Sequence, residues 1–236
     1  GHVPVLSVVI VNYNHKYFPR MALSALEASK TDFPFEIIFV DNASKEDESV
    51  QFLKKAEREK RIILIESKKN VGFGAGNNLG FEKMKGEYVF IHNPDVTVTE
   101  DALQKMVDYL KAHPDVGLLG PKLVYYNGAV QESCRRFMTF TDLIIKRTFL
   151  HHFEPWKSRF KTYLMHDFDH NKVQEVDLIT GAAMMGRTDF LWRYLGGFDK
   201  RYFLFMEDFD LCQRVHQAGK KVVYYPEVAL LHYHKR

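Results

Sequence analysis

The richest run of chemistry-bearing residues lies at positions 196–214, GGFDKRYFLFMEDFDLCQR. Glu207, Asp208 and Asp210 stand where a helix would begin, and there unpaired backbone amides and the helix dipole favour negative charge. All three are expected to be ionised at neutral pH. Leu211, Cys212, Val215 and Ala218 would form one apolar stripe, and Asp208, three residues before Leu211, falls on its inward side. Asp210 is spaced to pair with Arg214 on the outer face. An ionised carboxylate that points into a cleft from a helix's first turn can accept a proton from a hydroxyl. Dipole compensation alone explains one such acid easily and three with less comfort.

A second group could hold a cation. Asn93-Pro94-Asp95 follows an apolar run, and a lone carboxylate beside a strand end can bind a hard divalent ion when phosphate oxygens complete the shell. A plain β-turn with Pro at its second position accounts for the same three residues. His232 and His234 would share one face of a strand and could ligate a metal, although most isolated histidine pairs do not. The glycine run at 72–80 looks like a dinucleotide fingerprint but fails in detail. Counted from Gly72 the third glycine position holds Asn77, and counted from Gly74 it holds Leu79. What survives is a glycine loop that a ligand can approach closely, followed by two amides able to hydrogen-bond it.

The elements that must position these residues alternate. Short β-rich runs at 6–11, 36–40, 62–65 and 87–91 read as strands buried on both faces. Helices are expected near 17–30, 46–60 and 76–85, with Ser44 and Thr99 as N-cap candidates. This alternation predicts parallel pairing through right-handed crossovers, hence an α/β sandwich whose ligands sit beyond the carboxyl ends of the strands. Asn12-Tyr13-Asn14, Asp41 to Ser44, Asn70 to Asn78 and Asn93 to Asp95 occupy four such ends. Further strands are expected at 116–119, 122–130 and 221–225.

Composition narrows the class. The 236 residues are 46% hydrophobic, enough to offset chain entropy by burial and to exclude general disorder. Cys134 and Cys212 stand 78 positions apart, which signals neither a disulfide framework nor a thiolate metal knuckle. No run approaches the roughly 18 apolar residues of a membrane span, so a cytoplasmic chain is expected. Between 135 and 161 seven Lys or Arg face only Asp142 and Glu154, giving a formal +5 against +3 for the whole chain. A solvated basic face competes there with a cover over the site or a surface for an anionic partner. No nucleic-acid motif accompanies it.

Taken together, VVIVNYN, VDNAS, NVGFGAGNNLG, NPDV, TGAAMMGR, GGFDKRYFLFMEDFDLCQR and YPEVALLH make the chain resemble the family 2 glycosyltransferases, in particular their rhamnosyltransferase-like branch. The resemblance implies a GT-A fold: one Rossmann-like αβα sandwich with a mixed, mainly parallel sheet. Residues 1–112 would be its nucleotide-binding half and 113–236 its acceptor and catalytic half. It also implies a nucleoside-diphosphate sugar donor, dTDP- or UDP-linked with dTDP-rhamnose as first choice. A divalent Mn2+ or Mg2+ ion and inversion at the anomeric carbon follow as well. The acceptor would be a glycan or a lipid-linked sugar, with peripheral attachment to the inner face of the cell membrane.

Carried over residue by residue, the resemblance puts the base near Asn12 and Asp41. Asn70, Gly72, Asn77 and Asn78 would line the nucleotide-sugar pocket, with Asn93, Gly181 and Glu207 in the same set. Asp95 and His232 become metal ligands, and Asp208 the general base. Two other readings compete. A GT-A-like nucleotidyltransferase would want a Lys- or Arg-bearing phosphate loop where NYNHKYF stands, and a non-catalytic sugar-nucleotide binding module would have no need of Asp95 and Asp208.

Overall fold

The computed structural model describes residues 2–45, 47–135, 152–155, 157, 168–201 and 206–233. Strands β1 (Leu6–Asn12), β2 (Phe35–Asp41), β3 (Ile63–Glu66) and β4 (Tyr88–His92) alternate with helices α1 (Phe18–Glu27), α2 (Asp47–Arg58) and α3 (Phe73–Phe81). There follow β5 (Val96–Thr97), α4 (Ala102–Ala112), β6 (Val116–Tyr125), β7 (Cys134–Arg135), β8 (Gln174–Val176), β9 (Leu178–Ile179) and β10 (Ala183–Arg187). A π-helical turn (Asp189–Tyr194), α5 (Met206–Gln217) and β11 (Lys221–His232) complete the described elements.

The main sheet runs β3-β2-β1-β4-β10-β6-β11-β5, with β8 also paired to β11. Its ladders are mainly parallel: β3, β2, β1 and β4 all run one way, and β6 and β11 form a second parallel pair. β10 lies antiparallel between the two groups and joins them. Period-2 patterning then builds two cores. Val8 and Ile10 of β1 pack with Leu23 and Leu26 of α1, Leu53 of α2 and Met106 of α4, whereas Val9 packs on the other face with Phe81 and with Leu211 and Val215 of α5. The result is the three-layered α/β sandwich that the alternation predicts. No helix among the described residues is long and apolar enough to cross a membrane.

The structure corrects several local expectations. β3 is half-exposed, because it forms the edge of the sheet and has a neighbour on one side only. The two strands expected at 116–119 and 122–130 are one strand, β6, followed by a tight return through Gly128 to a bridge between Val124 and Val130. β11 runs past Pro226 to His232, taking up the proline in a register shift between Tyr225 and Ala229. Ser44 and Thr99 are not N-caps; the Ser44 hydroxyl donates to Asp41 and that of Thr99 to Asp101. His234 and most of the basic run at 135–161 lie outside the described residues.

The expected glycine loop is also largely helix, since α3 begins at Phe73. Its glycines let the helix sit close on the sheet: a Cβ on Gly80 would lie 2.5 Å from Val9 Cγ1. Val9 is a β-branched residue in the buried middle of β1 and has no room to turn aside. Gly80→Ala is therefore expected to destabilise the protein by about 1–3 kcal/mol through overpacking. Urea unfolding measures this, and an unchanged midpoint would mean that α3 is free to lift from β1.

Candidate active site

The carboxyl ends of β1, β2, β3 and β4 and the segments that leave them converge on one edge of the sheet. A cleft of about 390 Å³ opens there, lined by Tyr13, His15, Asn42, Asn70, Gly72, Asn93 and Asp95 among others. All four strand ends that the sequence marks out contribute to this cleft or to its floor. A volume of this size suits a small organic ligand.

Asn12 and Asp41 lie beneath the cleft surface. The Asn12 amide donates to Asp41 Oδ1 at 3.1 Å, and Ser44 donates to Asp41 through its backbone N–H at 3.1 Å and its hydroxyl at 2.7 Å. Asp41 thereby ties the ends of β1 and β2 together. Asn42, to which the motif reading gives no role, grips the next segment with both ends of its amide, donating to Gly72 O at 3.0 Å and accepting from Val71 N at 2.9 Å. Asn70 accepts from Gly72 N at 2.9 Å, and Gly72 turns the chain into α3 with φ of 89°.

Two amides expected in the pocket face the protein interior instead. Asn78 is buried, and its amide donates to Phe198 O at 2.8 Å and accepts from Phe198 N at 2.9 Å. Asn77 is equally buried and donates to Phe73 O at 3.0 Å. Glu207, expected among the sugar-nucleotide contacts, is buried and accepts the Gly74 N–H at 2.9 Å, closing the first turn of α3 onto the first turn of α5. Burial raises its pKa against that hydrogen bond. Asn78 and Glu207 hold α3, the Phe198 segment and α5 in mutual register, whereas Asn77 bonds within α3.

Asn93-Pro94-Asp95 closes a β-turn through Val96 N to Asn93 O at 3.2 Å. β5 then pairs antiparallel with the end of β11, and Tyr233 N donates to Asp95 O at 2.8 Å. That pairing brings His232, 137 residues on, against Asp95, with His232 Nε2 at 3.1 Å from Asp95 Oδ2. Burial works to raise the Asp95 pKa, but the His232 hydrogen bond and charge and the charge of His15 outweigh it and hold the carboxyl below its usual value. A carboxylate oxygen and an imidazole nitrogen converging in this way suit a divalent cation that accepts mixed oxygen and nitrogen ligands, such as Mn2+. No group of three His, Cys, Asp or Glu able to hold a metal occurs among the described residues. Diphosphate oxygens and water would have to complete the shell.

Asp208 occupies the first turn of α5 and is partly buried. Its Oδ2 accepts the Gly181 N–H at 2.7 Å. Desolvation pushes its pKa up to about 6, against that hydrogen bond and with help from the neighbouring charge of Glu207. The helix dipole that favours ionised acids here is thus overridden by burial, and Asp208 titrates close to neutrality. Asp210 differs, pairing with Arg214 at 2.9 Å, while Arg214 also binds the carbonyls of Leu195 and Gly197. Two neighbouring residues connect Asp208 to the Asp95 turn: Gly181 N donates to Asp208, and Ala182 O accepts from Asn93 N at 2.9 Å.

Sequence reasoning placed Tyr13 and Asn42 at ligand-facing strand ends without giving either a role, and it missed His15. Tyr13 is well exposed, while His15 is partly buried and its pKa is lowered by that burial against the pull of Asp95. Both follow the end of β1 at Asn12, where Asn14 turns the chain with φ of 56°.

Residues 7–194 match the family model described as Glycosyl transferase family 2. The chain is 26% identical to the N-acetylglucosaminyl-diphospho-decaprenol L-rhamnosyltransferase of Mycobacterium tuberculosis H37Rv, over 97% of this chain and 76% of that protein. It is 26% identical to the rhamnosyltransferase WbbL of Escherichia coli K12, over 96% of this chain and 82% of that protein. Among solved structures it superposes on TarS 1–349 of S. aureus with a TM-score of 0.65 at 18% identity, covering 97% of this chain and 60% of that one. The mannosyltransferase PcManGT from Pyrobaculum calidifontis, solved with GDP-Man and Mn2+, gives 0.66 at 19% identity, covering 100% and 58%. The chain spans 60% or less of the length of these two solved chains. The sandwich with its mixed sheet is the GT-A fold of these glycosyltransferases, and the chain belongs to glycosyltransferase family 2.

Proposed function

We propose that this transferase inverts configuration as it moves a sugar from a nucleoside diphosphate to a hydroxyl of a glycan or lipid-linked acceptor, with L-rhamnose from a dTDP donor as first choice. The observation that carries the reading is the placement of Asp208 and the Asp95–His232 pair on either side of the linked peptides at Gly181 and Ala182. The names of two relatives support rhamnose, and one of them supports an acceptor built on a polyprenyl diphosphate.

Asp208 takes the proton of the acceptor hydroxyl as that oxygen attacks the anomeric carbon from the face opposite the diphosphate. Its pKa near 6 leaves it mostly ionised at neutral pH yet basic enough to pull on the proton. Asp95 and His232 would hold the Mn2+ or Mg2+ ion, which supplies positive charge to the departing diphosphate. Tyr13 and Asn70 line the cleft where the nucleotide would lie.

A thermal-shift panel of dTDP, UDP, GDP and their sugars, each with and without Mn2+, tests the donor. A ligand present at a hundred times its Kd stabilises the native state by about 2.7 kcal/mol. For a chain of this length that is a rise in Tm of roughly 5–10 °C. The expected result is a metal-dependent rise for dTDP and dTDP-rhamnose. A rise confined to UDP compounds transfers the donor assignment to them, and no rise with any nucleotide removes the transfer reading.

A further inference from the structure

His232 is held at both ring nitrogens. Nε2 faces Asp95 Oδ2 at 3.1 Å, and Nδ1 lies 2.6 Å from Oε1 of Gln131. The side chain of His232 is only 7% exposed, which leaves water little room to replace Gln131. The backbone fixes where Gln131 stands. Its N–H donates to Leu123 O at 2.8 Å, and the return from β6 is closed by Tyr125 N to Ala129 O at 2.8 Å and by Gly128 at φ 87°. The same return places the Tyr125 ring over the imidazole, with centroids 6.3 Å apart and planes 17° from parallel.

A glutamine carbonyl can only accept, so the ring nitrogen facing it carries the hydrogen. Nε2 is thereby left to face Asp95 Oδ2 at 3.1 Å, where a hydrogen shared between the two can give way to a divalent cation that both coordinate. We propose that Gln131 is a positioning residue of the metal site: it fixes His232 in the Nδ1–H tautomer and aims Nε2 at a divalent cation shared with Asp95. The proposal rests on Asp95 and His232 being the ligands. Partners of this kind typically change metal affinity by about 10–100-fold when removed.

The test titrates Mn2+ into the full chain with dTDP present and reads free Mn2+ by electron paramagnetic resonance. Gln131→Met keeps the length of the side chain and removes the acceptor; Gln131→Glu keeps an acceptor that cannot donate. Gln131→Met is expected to weaken Mn2+ binding by about 10–100-fold, whereas Gln131→Glu binds at least as well as the parent. Metal-free dTDP affinity should stay at the parental value in both variants, while the Tm of Gln131→Met falls because a buried N–H loses its acceptor. Nitrogen-15 NMR of the Mg2+-loaded parent should find the hydrogen of His232 on Nδ1. Parental Mn2+ affinity in Gln131→Met overturns the proposal, whatever happens to its Tm. Equal weakening in Gln131→Glu also overturns it, because the glutamine would then be donating. If the parent binds dTDP but no Mn2+, the assignment of Asp95 and His232 as ligands falls first and takes the role of Gln131 with it.

Discussion

Asp208→Asn is expected to lower kcat by about 10²- to 10⁴-fold, the usual contribution of a positioned general base, while leaving nucleotide-sugar binding nearly intact. The substitution keeps the shape of the side chain. Its carbonyl oxygen can still accept the Gly181 N–H that now binds Oδ2 at 2.7 Å. What is lost is the capacity to take a proton. Because only the transition state uses that capacity, kcat and kcat/KM should fall together. The pH profile gives a second reading of the same group. Burial raises the Asp208 pKa to about 6, so the parental kcat/KM should fall as pH drops through 6 and the carboxylate becomes protonated. The asparagine variant should lack that limb. A limb near 4 in the parent would mean that the carboxylate is solvated, and a parental rate in Asp208→Asn would remove it from the base role.

The parts of this arrangement that the sequence made legible are those that depend on period and order. Helical spacing was enough to turn Asp208 inward with Leu211 and to pair Asp210 with Arg214, because 3.6 residues per turn leaves little choice of face. The order of strands and helices was enough to bring four Asn- or Asp-bearing ends to one edge. Contacts made across the chain were not legible. Asn77 and Asn78 looked like ligand-binding amides, yet an amide that complements a ligand can equally complement a backbone N–H and C=O. Nothing local to the glycine run says that Phe198, 120 residues later, supplies both for Asn78. Glycine's poor helix propensity argued for a loop where packing on Val9 instead rewards a helix with no side chains in the way. Gln131 gave no signal at all, since its partner lies 101 residues away and meets it only through the β6–β11 register.

Gly181→Ala should be nearly as damaging to turnover as losing part of the base itself. A Cβ at this position would lie 2.4 Å from Asp208 Oδ1 and 2.9 Å from its carboxyl carbon. Ordinary contact needs about a further ångström, and the backbone N–H stays bonded to Oδ2, so the carboxylate must swing about that bond or leave it. A displacement of about 1 Å in a reacting group can cost 10²-fold in rate. We therefore expect kcat to fall about 10²-fold, with the overpacking adding about 1–3 kcal/mol of lost stability visible in urea unfolding. A double-mutant cycle separates that loss of turnover from general damage to the fold. Once Asp208→Asn has removed the base, misplacing the side chain has nothing further to take from proton transfer. Adding Gly181→Ala to Asp208→Asn should then change the residual rate very little, leaving a coupling close to the whole single-mutant effect. If the two losses multiply instead, Gly181 serves another group. The first to examine would be Asn93, whose backbone N–H is bonded to the neighbouring Ala182 carbonyl.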